Sequence, residues 1–173
     1  MARLILLRHA KSDWSDSTLT DADRPLNPRG QKAAPVIGQF MAANRLFPDL
    51  ILCSTAQRTR ETLAGIMPFL PREGEIRLLR ALYDQSEDTY LPQIRKQGGS
   101  SRTLLVIGHN PATEETAHEL FGTGPADLKA DMEAKYPSGG LCVLDFDLED
   151  WSKLEPGTGA LVHFIKPRNL PGM

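Results

Sequence analysis

Residues 4–7 (Leu-Ile-Leu-Leu) form an unbroken apolar run, which predicts a short strand buried on both faces. Two similar runs follow, in DLILCST at 49–55 and TLLVIGHN at 103–110. A mixed stretch, EIRLLRALY at 75–83, predicts a further strand between them. The intervening segments carry helix signals. Asn27 and Pro28 supply a cap and a first-turn proline; Pro35, inside that stretch, marks either the true start or a kink. The segment 56–70 (AQRTRETLAGIMPFL) predicts a helix that stops near Pro68. The segment 86–99 predicts another, with Ser86 as cap, Glu87 and Asp88 in the first turn, and Gly98 and Gly99 beyond its end. A fourth runs over 111–122, capped by Asn110 and stopped at Gly122.

After a polar region at 127–137 come two more apolar stretches, 139–147 and 159–167, expected to pair as a hairpin around Pro156 and Gly157. The tail from Pro167 is expected to be loosely held. Strand and helix alternate through residue 122, which predicts a three-layer α/β/α sandwich around a mainly parallel sheet, with late antiparallel strands added. No internal repeat or linker interrupts the 173 residues, so a single domain over 1–173 is expected.

Composition narrows the function classes. Twenty Lys and Arg against 22 Asp and Glu give a net charge of −2, and along the chain the charges are interspersed, so neither nucleic acid nor an anionic membrane is expected as a partner. Cys53 and Cys142 are far apart and form no CxxC, which fits a reducing cytoplasm and no structural zinc. The run at 4–7 is too short for a membrane span or a signal-peptide core.

In open α/β sheets ligands bind beyond the carboxyl ends of the strands. Three such ends here carry unusual residues: Arg8 and His9; Ser54 and Thr55 with Arg58 shortly after; and His109. Arg58 falls in the first turn of a predicted helix, where a cation opposes the helix dipole by a few tenths to about 1 kcal/mol. An anion held between that N-terminus and Arg58 would remove the conflict. Each residue also has an ordinary reading: a surface or ion-paired Arg8, a structural His9, Arg58 paired with Glu61, and His109 merely flanking a helix. Four such residues on one rim favour an anion site.

The ordered motifs LLRHA (6–10), CSTAQRTRET (53–62) and VIGHN (106–110) resemble the signature of the histidine phosphatase superfamily, which includes the phosphoglycerate mutases. With DRPLNPRG (23–30) and the short chain, they are most similar to the SixA-type phosphohistidine phosphatases. The resemblance implies His9 as the phosphorylated nucleophile, Arg8, Arg58 and His109 as the phosphoryl pocket, and Arg24 as a further phosphate contact or a loop anchor. It implies hydrolysis without a metal or other cofactor, the arginines supplying the positive charge. Ala10 stands where many relatives have glycine, and Thr55 where many have proline. Ser15 replaces the asparagine of sugar-phosphate relatives, which argues against mutase-like contacts.

A general acid is sought after the 75–83 strand, where Asp84, Glu87 and Asp88 lie, but no motif singles one out. Phosphorylated imidazole is a better leaving group than an alkoxide, so an ill-defined acid fits a phosphohistidine substrate. The leading expectation is therefore a phosphohistidine phosphatase acting on a phosphorylated protein. A metal-independent phosphomonoesterase of small metabolites and a non-catalytic phosphate-binding module are the alternatives.

Overall fold

The computed structural model describes residues 1–84 and 88–173. Seven strands of the described residues make one sheet: β1 (Ala2–Arg8), β2 (Leu50–Ser54), β3 (Glu75–Leu79), β4 (Thr103–Gly108), β5 (Phe121–Thr123), β6 (Leu141–Phe146) and β7 (Gly159–Ile165). Their order is β3-β2-β4-β1-β6-β7-β5. β1 pairs with β4, β4 with β2, and β2 with β3, all parallel, while β6 runs antiparallel to β1 and β7.

Among the described residues six α-helices cover the faces: α1 (Pro28–Ala43), α2 (Gln57–Ile66), α3 (Arg80–Asp84), α4 (Leu91–Gln97), α5 (Ala112–Leu120) and α6 (Ala126–Ala134). Alternate side chains of the central strands point to opposite faces. Leu4, Leu6, Leu104 and Val106 pack with Leu91, Ile94, Leu120 and Met132 on one side. Ile5, Leu7, Leu105 and Ile107 pack with Ile37, Met41, Leu63 and Ile66 on the other. Both faces are apolar, and this is why these strands read as continuous hydrophobic runs. The expected sandwich is the observed fold. No helix among the described residues is long and apolar enough to cross a membrane.

Several boundaries differ from expectation. The 75–83 stretch leaves the strand at Leu79 and turns into α3. The helix expected from Ser86 begins at Leu91; Ser86 and Glu87 lie outside the described residues. α6 occupies what reads as a polar region, because Met132 is its only buried residue and no period betrays it. α1 continues through Pro35, with Asn27 accepting from the Gly30 N–H at 2.9 Å as its cap. The expected tail is anchored by the buried Pro167 and a 3-10 turn at Pro167–Asn169.

The register sets the site. Arg8 pairs with Gly108, and Cys53 with Ile107, so β1, β2 and β4 end at one level. His9, Ser54 and His109 therefore leave the sheet side by side.

Candidate active site

His9 is 7% exposed, and its Nδ1 lies 2.7 Å from the Ala10 carbonyl oxygen. A carbonyl only accepts, so Nδ1 carries the proton and Nε2 keeps its lone pair. The Ala10 N–H in turn donates to Thr62 Oγ1 at 3.0 Å, and that hydroxyl donates to the Arg58 carbonyl at 2.8 Å. The turn after β1 is thereby bolted to α2. The His109 ring stands 5.3 Å from that of His9, centroid to centroid. Its Nε2 is 2.8 Å from Ser54 Oγ, and its buried Nδ1 has no protein partner among the described residues. If the Ser54 hydroxyl donates to Nε2, Nδ1 is left as an N–H donor.

Tyr90 fixes the backbone of His109, whose N–H donates to the phenol oxygen at 2.9 Å. Gly108 makes room for this ring, since an added Cβ would collide with it. Arg58 donates from one terminal nitrogen to the Asp21 carbonyl at 2.8 Å and from the other to Asp21 Oδ2 at 3.2 Å. Arg8 donates to the Tyr136 carbonyl at 3.1 Å. The Nε atoms of both arginines are buried and unpartnered among the described residues.

The electrostatics follow from this crowding. Burial, then Arg58 and Arg8, push the His9 imidazole down to about 4, against the lifting effect of the Ala10 carbonyl. Burial, then the charge of His9 and of Arg58, push His109 down to about 3. Burial is also the leading cause that lowers Arg8. Both imidazoles are neutral at pH 7, beside two guanidinium groups. Such a site has the features of an anion pocket with a neutral nitrogen nucleophile at its edge.

The profile of the histidine phosphatase superfamily (branch 1) matches residues 4–86. The candidate phosphohistidine phosphatase SixA of Agrobacterium tumefaciens superposes with a TM-score of 0.81 at 33% identity, over 96% of this chain and 97% of that one. The chain belongs to the histidine phosphatase superfamily. An uncharacterized protein of Mycobacterium tuberculosis (strain ATCC 25618 / H37Rv) is 38% identical over 166 residues, 94% of this chain and 100% of its own length. The protein histidine phosphatase SixA complexed with tungstate shares the fold, with a TM-score of 0.70 at 18% identity over 96% of this chain and 98% of that one. Membership in the superfamily, with a SixA-like fold, supports a phosphatase.

Of the residues expected from sequence, Arg8, His9, Arg58 and His109 come together. Arg24 lies on the segment that carries Asp21, and its Nε and Nη1 are buried without a hydrogen-bond partner among the described residues. Its guanidinium lies 4.3 Å over the Trp14 ring, and its Nε is 3.9 Å from Asp21 Oδ1. Glu61 does not hold Arg58; it accepts from Gln57 Nε2 at 2.6 Å and from the Leu26 N–H at 3.1 Å. Asp84 is exposed and faces Arg80 at 3.4 Å, Asp88 is exposed, and Glu87 lies outside the described residues.

The carboxylate that does reach the site is Asp21, which sequence reasoning missed. Tyr83 Oη donates to its Oδ2 at 2.7 Å. Burial works to raise Asp21, but the Tyr83 hydrogen bond and Arg58 outweigh it and hold the carboxyl below its ordinary value. Its only sequence signal is its place three residues before Arg24. Among the described residues no group of three or more His, Cys, Asp or Glu side chains could hold a metal ion.

Proposed function

We propose that this chain is a phosphohistidine phosphatase that takes the phosphoryl group from a phosphorylated protein histidine onto His9 Nε2. The observation that carries the reading is the 2.7 Å contact of His9 Nδ1 with the Ala10 carbonyl, which directs the lone pair to Nε2 beside the pocket donors. The Nε2–P bond forms as the P–N bond of the substrate breaks, and the departing imidazole keeps or takes up one proton. Water then attacks phosphorus, its proton returns to solvent, and His9 leaves as the neutral imidazole with orthophosphate released. Arg8, Arg58 and the His109 Nδ1–H spread the charge on the equatorial oxygens. The site's positive charge is the chain's own, and no metal enters the proposal.

The leaving group follows from Asp21. An alkoxide must be protonated as it departs, and Asp21, held ionised by Tyr83 and Arg58, is a poor donor at neutral pH. A phosphorylated imidazole departs with less help. Arg24, whose buried Nε and Nη1 lack a hydrogen-bond partner among the described residues, is a further phosphate contact in this reading. The test compares kcat/KM on a phosphohistidine protein with a panel of sugar phosphates, each with and without EDTA. A phosphohistidine preference of a hundredfold or more, unaffected by chelator, is expected; sugar-phosphate preference, or activity restored only by a divalent metal, overturns it.

A further inference from the structure

Next to the pocket lies a groove of about 390 Å³ lined by six cations: Arg8, Lys11, Arg29, Lys135, Lys166 and Arg168. No acidic side chain among the described residues lines it. Lys166 is 4% exposed and spends its charge on Asp131 at 2.8 Å. Lys11, Arg29, Lys135 and Arg168 are exposed, and none has a carboxylate within ion-pair distance among the described residues. A chain of net charge −2 thus gathers a concentrated positive field on one wall of its candidate active site. Cations so grouped repel one another, and a visiting anion relieves that repulsion.

The groove is joined to the chemistry through the backbone. The Gly139 N–H donates to the carbonyls of Arg8 and His9 at 3.0 and 2.9 Å, which ties the Lys135–Ser138 wall to the end of β1. The opposite wall is tied as well, since the Asn27 N–H donates to the Lys11 carbonyl at 2.9 Å beside the start of α1. We infer that this groove docks an acidic segment of the phosphorylated protein substrate, with Arg8 common to the groove and the phosphoryl pocket. The inference rests on the phosphohistidine reading of the site. Charge complementarity selects carboxylates. Exposed, long rim cations from four separate segments suit the steering of a protein surface, whereas a small-ligand site is largely enclosed and apolar.

The experiment uses two fluorescent peptides, one rich in Asp and Glu and one with Asn and Gln in their place, each prepared with and without phosphohistidine. The full chain is compared with the double variant Arg29→Glu/Lys135→Glu, and with Arg29→Gln/Lys135→Gln as a milder control. At low salt the wild type is expected to bind the unphosphorylated acidic peptide about tenfold more tightly than the neutral one, the scale of two exposed charge pairs. Higher salt should shrink that preference. The same factor should appear in KM for the phosphorylated pair, with kcat unchanged. Charge reversal should erase the preference and leave p-nitrophenyl phosphate turnover as it was.

Equal affinity for the two peptides in wild type, or a preference that survives charge reversal, overturns the inference. Pyrophosphate or a short oligonucleotide binding the groove more tightly than the acidic peptide also overturns it, by assigning a different occupant. Loss of phosphohistidine turnover with acidic-peptide binding intact would fault the substrate assignment and leave the docking groove standing.

Discussion

Acidification should cost this protein stability through His9 well above the range where carboxylates titrate. The unfolded chain takes up a proton on His9 near pH 6.5, and the folded chain only near 4. Between those values the unfolded state binds more protons, so stability is complete above about 6.5 and falls as pH drops toward 4. A gap of about 2.5 units corresponds to roughly 3 kcal/mol at the acid limit, of which about 2 kcal/mol is already lost at pH 5. His109 acts in the same direction, but His9 is itself one cause of its shift, so the two effects do not add.

The assay is urea unfolding of wild type and His9→Gln at pH 7.5, 6 and 5, read as the difference between the two proteins so that groups titrating alike cancel. The difference should move by about 2 kcal/mol in favour of His9→Gln as pH falls to 5. A difference that stays constant within 0.5 kcal/mol (roughly the noise of such extrapolations) would mean that His9 titrates normally in the fold. Burial and the two arginines would then not be what keeps His9 neutral.

Arg58→Ala should lower kcat/KM by about 10²–10³, as loss of a preorganised anion donor does, and should raise the His9 titration midpoint, seen by NMR; an unmoved midpoint would separate Arg58 from His9. Asp21→Asn should tighten inhibition by orthophosphate about three- to tenfold, because the carboxylate competes with the anion for Arg58; weaker inhibition would instead make Asp21 the residue that aims Arg58. Asp84→Asn should change kcat/KM on phosphohistidine less than twofold, since its carboxylate sits on an exposed pair with Arg80. A hundredfold loss there would make it a dedicated acid.

The strand ends were legible because β1, β2 and β4 are buried on both faces and announce themselves as apolar runs. The cation at the start of α2 was legible as a conflict with the helix dipole. What satisfies it was not: Asp21 opens a one-turn 3-10 helix in a polar stretch, 37 residues from Arg58, where no apolar period marks it. The same holds for α6, whose single buried methionine sets no repeat. It holds also for the basic groove, whose cations are spaced from residue 8 to residue 168 and look interspersed along the chain. Local patterns expose elements and their ends. Pairings between distant loops appear only when the sheet register brings them level.

The proposed chemistry stands or falls on His9 Nε2 carrying the phosphoryl group. Rapid mixing of the enzyme with a phosphohistidine protein labelled with ³²P, quenching in alkali and mapping the label by mass spectrometry test it directly. An acid-labile, alkali-stable phosphate is expected on His9, forming and decaying at rates compatible with turnover, and none is expected in His9→Gln. Full turnover with no label on His9, or label appearing on another residue, would contradict it.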